Sequence, residues 1–260
     1  MSARYHGYVA LGDSFTEGMN DRRADGGFRG WADLTARRLA ETNPGLTYAN
    51  LAVRGKLFDA VVDEQVPQAL RLRPDLVSFI AGGNDALRPG FQPERLSGRL
   101  NEVARVLTAS GAKVLLCTVP TVPPRMPASR LLTKRMLALN AIIRTVARRH
   151  GATVVELYGD EIFQDTRLWS EDRVHMSALG HRRVAEHCCE TLEIPPDPCW
   201  RLTLPTAEPP GWLTRRREDV AWAKAHMAPW VRRRLAGKSS GDAVSAKRPK
   251  LTPIGEIRPS

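Results

Sequence analysis

The order of apolar runs along this chain predicts an α/β fold, a parallel sheet with helices on both faces. Two observations carry the prediction. Five short apolar runs of strand length alternate with longer amphipathic stretches, and Gly, Pro or Asn punctuates most of the junctions between them. With 260 residues the chain is long enough for one sizeable domain and an appendage, and too short for a second full domain.

Taken in order, Tyr8 to Leu11 reads as a buried strand that Gly12-Asp13-Ser14 breaks sharply. Trp31 to Glu41 reads as a helix ending near Asn43-Pro44-Gly45, and Leu46 to Ala49 as the second strand. Lys56 to Leu72 is a helix closed before Arg73-Pro74; the strand Leu76 to Ile80 then runs into Gly82-Gly83-Asn84-Asp85. From Pro93 to Ser110 the apolar positions Leu96, Leu100, Val103, Ala104 and Leu107 recur at helical spacing, and Lys113 to Thr118 supplies the fourth strand. A proline-rich loop, Val119 to Pro127, precedes the helix Leu131 to His150, which stops at Gly151. The strand Thr153 to Leu157 and the helix Ala178 to Leu192 close the domain. Beyond it lie an irregular proline-rich connector, a helix from Leu213 to Met227 expected to break at Pro229, and a Gly-, Ser-, Pro- and Lys-rich end that predicts disorder from Gly237 onward. The expected division is therefore a main α/β unit over 1–195, a connector with a basic, tryptophan-bearing helix over 196–236, and a disordered tail over 237–260.

The break after the first strand presents Ser14 at the carboxyl end of a strand, where open α/β sheets bind their ligands. A serine hydroxyl is a poor nucleophile at neutral pH and needs a base, itself held in one tautomer by a third group. Asp172 and His175, three residues apart, fit those two roles. Taken alone, Asp172-Arg173-Val174-His175 also reads as a helix cap beside a solvated histidine. Acyl transfer further needs donors aimed at the carbonyl oxygen, where negative charge develops. The Asn84 side-chain amide and the backbone N–H groups of Gly55 and Ser14 stand at the ends of adjacent predicted strands and qualify. Gly82-Gly83-Asn84-Asp85 is also a good turn sequence in its own right.

In content and in order, Gly12-Asp13-Ser14, Gly55, Gly82-Gly83-Asn84-Asp85 and Asp172-Arg173-Val174-His175 resemble the motifs of the SGNH subgroup of the GDSL hydrolases. The resemblance spans roughly residues 6 to 193 and implies a three-layer, flavodoxin-like α/β/α arrangement. It implies Ser14 as nucleophile, His175 as base and Asp172 as the orienting carboxylate, with Ser14, Gly55 and Asn84 forming an oxyanion hole. One departure from the family pattern is Phe15, where leucine usually follows Gly-Asp-Ser. The expected activity is hydrolysis of a small or medium acyl ester through an acyl-enzyme. The alternatives are an acyltransferase with the same triad and a non-catalytic binding protein acting through its basic tail.

The net charge of +11 belongs mainly to that tail. Residues 1–200 carry 26 Lys and Arg against 23 Asp and Glu, a net of +3, whereas residues 201–260 carry 13 against 5, a net of +8. A near-neutral catalytic domain has no special affinity for polyanions, so nucleic acid is not the expected partner. Trp212, Val220, Trp222, Met227, Trp230 and Val231 interleave with arginines, and the first expectation is that this helix docks on its own domain. Contact with an anionic membrane surface is the second reading and nucleic acid the third. No protein partner is implied. No apolar leader precedes the serine and no stretch is long enough to span a bilayer, which predicts a cytoplasmic protein. The four cysteines, Cys117, Cys188, Cys189 and Cys199, show no metal or redox spacing and read as reduced, mostly buried thiols. His6, His150, His187 and His226 lack metal-ligand spacing, and His181 reads as a helix residue rather than a second base. No cofactor and no metal are expected. Asp13 and Asp85 read as caps of the helices that follow them, and the loops Met19 to Phe28 and Pro120 to Pro127 as walls of the active-site mouth.

Overall fold

The computed structural model describes residues 5–122, 125–201, 204–205, 211–237 and 239–254. In chain order the elements are β1 (Gly7–Gly12), α1 (Ser14–Glu17), α2 (Gly30–Thr42), β2 (Thr47–Asn50), α3 (Phe58–Leu72), β3 (Leu76–Ile80), α4 (Gly83–Ala86) and α5 (Pro93–Ala109). They continue with β4 (Lys113–Cys117), α6 (Ser129–His150), β5 (Thr153–Val155), α7 (Ala178–Thr191), α8 (Trp212–Trp222), α9 (Ala228–Leu235) and β6 (Arg248–Pro253). The sheet order is β5-β4-β3-β1-β2-β6, with the first five strands parallel and β6 antiparallel at the edge. The three-layer α/β/α arrangement is thus present, with one edge strand that the sequence did not announce.

Alternation along β1 divides the core. Tyr8 and Ala10 face a cluster built with α2 and α7 around Trp31, Tyr48, Leu76, Leu115 and Val184. Val9 and Leu11 face a second cluster built with α3, α5 and α6 around Phe58, Phe79, Leu100, Val103 and Leu139. Both faces of the sheet are dry, which is why its strands read as continuous apolar runs instead of alternating ones.

The order of connections reverses between β1 and β3, so a crevice opens at their carboxyl ends. Ser14 follows β1 and Asn84 follows β3 directly at that reversal. Gly12 makes the break possible: its φ is +155°, and a Cβ there would collide with the Ile80 carbonyl and the Thr16 hydroxyl. The Gln65 side chain then closes the frayed strand end, accepting from the Gly12 N–H at 2.8 Å and donating to its carbonyl at 2.9 Å.

Three expectations about the last third of the chain need correction. Disorder does not extend through 237–260: residues 248–253 pair with β2, and Lys247 beside them reaches the Asp33 carboxylate at 2.8 Å. A polar strand on an edge carries no apolar pattern, so composition could not reveal it. The helix does not end at Pro229 either. A wider π-helical turn over Ala223–Met227 precedes it, giving room for the proline ring and its missing N–H, and α9 runs on. Finally, this helical segment does touch the domain, but of the expected apolar side chains Trp212, Val220, Met227, Trp230 and Val231 are exposed and Trp222 makes contact. Polar contacts are made by Glu218, Asp219, the Arg215 carbonyl and the Trp222 indole. Among the described residues no helix is long and apolar enough to cross a membrane.

Candidate active site

Asp13 caps α1, its carboxylate accepting the Phe15 N–H at 3.1 Å, which starts the helix at Ser14. The Ser14 N–H therefore lies in a first helical turn, where backbone donors have no intrahelical acceptor. Ser14 Oγ stands 2.9 Å from His175 Nε2, and His175 Nδ1 stands 2.8 Å from Asp172 Oδ2. With the Nδ1 proton held by the carboxylate, Nε2 is left as an acceptor for the serine hydroxyl.

Asp172 is held as a carboxylate. Its Oδ1 accepts from the Ser170 hydroxyl at 2.7 Å and from the backbone N–H groups of Val174 and His175; its Oδ2 accepts from the Asn20 amide at 2.8 Å as well as from the imidazole. Burial pushes its pKa up, but this set of donors, His175 foremost, brings it well below the usual carboxylate range. Arg173, between the two candidate residues, has φ +58°, a left-handed conformation that non-glycine residues adopt uncommonly.

The Asn84 amide donates to Asp13 Oδ2 and to the Lys56 carbonyl, both at 3.0 Å. Those two bonds tie the segment after β3 to the residue before Ser14 and to the residue after Gly55; Ser14 and Asn84 line the cavity, whereas Gly55 does not. Gly55 has φ +75°, and a Cβ there would run into Ser239, whose hydroxyl donates to the Gly55 carbonyl at 3.3 Å. Asp13, almost fully buried, has its pKa raised to about 6 chiefly by loss of water.

Beside Ser14 opens a cavity of about 140 Å³. Its walls are mostly apolar, with Ile80, Leu87, Val122, Met126, Leu132 and Met136 prominent, and Trp169 and Val174 toward the histidine. Pro120, Thr121, Val122 and Met126 of the expected loop line it, Pro123 and Pro124 lying outside the described residues; the Met19 to Phe28 loop does not. That loop acts at one remove, through Asn20 on Asp172. Phe15, the departure from the usual leucine, packs against Trp31 and His181 at ring distances of 5.9 and 6.0 Å.

His181 is a buried helix residue. The Trp31 N–H donates to its Nδ1 and its Nε2 faces the Met19 carbonyl, an arrangement that fits the neutral ring; burial pushes its pKa down to about 4. Asp85 caps α3 rather than the helix after it, accepting the Phe58 N–H at 3.0 Å. Cys117, Cys188 and Cys189 are buried free thiols and Cys199 is exposed. Among the described residues no group of three or more His, Cys, Asp or Glu side chains is gathered to hold a metal. Sequence reading missed Asn20, Ser170 and Trp222 around Asp172. No spacing rule joins Asn20 or Trp222 to residues so distant in the chain.

Residues 10–183 match the model of the GDSL-like lipase/acylhydrolase family. The chain belongs to that family. It is a hydrolase acting on ester bonds, and the match ends before the connector and α8. In sequence the chain is similar to esterase TesA of Pseudomonas aeruginosa, at 25% identity over 165 residues, 64% of this chain and 79% of that protein. In structure it is similar to LAE5, an alpha/beta hydrolase from the metagenome of Lake Arreo, with TM-score 0.62, 22% identity and coverage of 73% of this chain and 95% of that one. A catalytic mutant of Axe2, an acetylxylan esterase from Geobacillus stearothermophilus, superposes with TM-score 0.63 at 15% identity, covering 79% of this chain and all 100% of that one. These structural likenesses speak for the fold.

Proposed function

We propose that this GDSL hydrolase cleaves small or medium acyl esters through an acyl-enzyme formed on Ser14. The observation that carries the proposal is the unbroken hydrogen-bonded chain from Asp172 through His175 to Ser14, opening on an apolar cavity. Ser14 Oγ attacks the ester carbonyl carbon as its proton passes to His175 Nε2, and the imidazolium is stabilised by the Asp172 carboxylate. The tetrahedral oxyanion is met by the Ser14 and Gly55 backbone N–H groups and by the Asn84 amide, one of whose two N–H groups turns to it from Asp13 or the Lys56 carbonyl. His175 then returns the proton to the leaving alkoxide, leaving the acyl group on Ser14. A water molecule, deprotonated by His175, repeats the sequence and releases the acid.

The alcohol side faces the mouth, and the acyl group enters between Ile80, Leu87, Met126 and Leu132. Walls of that kind bind hydrocarbon by removing it from water, about 0.8 kcal/mol for each methylene buried. The size of the cavity limits the chain it can take. A series of p-nitrophenyl esters from acetate to palmitate tests the proposal. Turnover should rise with chain length over the short esters and fall for the long ones, with a fluorophosphonate labelling Ser14. Labelling at another residue, or a preference that climbs without limit to palmitate, would overturn it.

A further inference from the structure

We infer that α8 is a strut across the mouth of the site, with Asp219 and Trp222 as positioning residues for the His175 loop and for the facing cavity wall. The inference rests on the reading of Ser14, His175 and Asp172 given above, and it concerns residues outside the family match.

Two walls flank the cavity. One carries Val122 and Met126, with Arg125 next to Met126 in the chain; the other carries Arg173, Val174 and His175. Asp219 lies between them: its Oδ1 accepts from Arg125 Nη2 at 2.6 Å and from Arg173 Nη1 at 2.7 Å. Glu218 adds a second bond to Arg125 at 2.7 Å. These are the two acidic residues of α8, and both are used on the domain. One turn further on, the Trp222 indole N–H donates to the Asp172 carbonyl at 3.0 Å, and the Arg173 guanidinium lies over the Trp222 ring at 4.9 Å.

The position of these contacts in the loop gives them their consequence. Arg173 sits between the carboxylate and the imidazole, and its left-handed backbone costs about 1 kcal/mol or more, which the contacts around the turn must offset. The Asp172 carboxylate organises the turn from inside by accepting the Val174 and His175 N–H groups. The helix holds it from outside, at the Asp172 carbonyl and the Arg173 side chain. Loss of the indole bond loosens the peptide that carries the orienting carboxylate. Loss of the Asp219 charge leaves the two walls joined directly by the long Arg173 bond to the Arg125 carbonyl at 3.4 Å, and so loosens the mouth.

Two variants of the full chain test the strut against the p-nitrophenyl ester series, with Ser14→Ala as the control. Trp222→Phe keeps a smaller ring for Arg173 and removes the indole donor; kcat should fall about ten- to a hundredfold with KM little changed, since misplacement of a base acts on the chemical step. Asp219→Asn should raise KM for the preferred ester and move the chain-length optimum toward longer esters. Molar sodium chloride should push the wild type the same way and move Asp219→Asn less, since only the exposed Glu218–Arg125 pair is left there to be screened. Asp219 is at the surface, so this variant reads the strut even if Trp222→Phe melts early. Wild-type kcat, KM and chain-length profile in both variants, with Ser14→Ala inactive, would overturn the inference alone. An active Ser14→Ala would instead strike the triad reading and remove the basis of the strut with it.

Discussion

Ser14 Oγ and His175 Nε2 lie 2.9 Å apart although 161 positions separate them in the chain. If that contact is the working one, Ser14→Ala abolishes ester hydrolysis and fluorophosphonate labelling while melting like the wild type. His175→Ala should be nearly as damaging. Asp172→Asn should keep more activity than either, because the Ser14 and His175 pair survives in a less favourable tautomer. Steady-state rates with active-site titration check the order. Wild-type activity in His175→Ala would remove the imidazole from the mechanism, and His181 is too enclosed to replace it.

Asn84→Ala should lower kcat by about a hundredfold to a thousandfold with little change in KM, since an oxyanion donor acts mainly in the transition state. It should also cost stability, because the Asn84 amide is a partner of the buried Asp13 carboxylate and of the Lys56 carbonyl. A loss confined to KM would make Asn84 a substrate-binding residue.

Asp13 gives the fold a pH dependence of definite sign. Its folded pKa is raised to about 6 from the ordinary 3.8 by burial, so the folded protein holds this proton more tightly than the unfolded chain does. The associated stability is fully present below pH 3.8 and is lost as pH rises through about 6, an effect of about 3 kcal/mol at most. Asp13→Asn titrates nothing. Its stability relative to wild type, measured by urea unfolding at pH 4 and pH 8, should therefore improve at the higher pH. A difference that stays constant between the two would refute the burial argument. Asp172 runs the other way: its lowered pKa contributes stability that is lost as pH falls below the usual carboxylate range.

Lys247 joins the C-terminal strand to the body of the protein. Its ammonium reaches Asp33, which is buried and also accepts the Tyr48 hydroxyl at 2.9 Å, and it donates to the Phe28 carbonyl at 3.2 Å. Lys247→Ala leaves a buried carboxylate without its cation and should destabilise by about 3 kcal/mol or more. Adding Asp33→Asn should recover part of that loss. Chemical denaturation of the single and double variants decides it; equal stability of Lys247→Ala and wild type would show the strand to be held by its ladder alone.

The sequence by itself determined the catalytic half of the fold. Apolar runs such as Leu76 to Ile80, buried on both faces, coincide with the observed strand, and Pro93 to Ser110 differs from the observed helix by one residue. These elements are legible because each is written locally, in the period of its apolar positions and in the breaker that ends it. Two candidate positions were legible for a similar reason. Ser14 and Asn84 each follow a break after an apolar run, and parallel connection brings such breaks to one edge, whereas Asp172 and His175 were marked only by their spacing and by the resemblance.

What only the tertiary structure decided are relations between groups with no common pattern. Asn20 reaches Asp172 across 152 positions, and the Trp222 indole finds the Asp172 carbonyl in a peptide that the sequence marks only through its side chain. Residues 248–253 became a strand because β2 offered an unpaired edge and Asp33 a buried charge, neither of which composition records. The tryptophans of α8 pointed to an apolar docking face, yet the helix is held chiefly by Asp219 between two arginines and by one indole N–H. A local pattern reports which face of an element avoids water. Hydrogen bonds and ion pairs between distant segments depend on where the chain returns, and that is settled only when the layers pack.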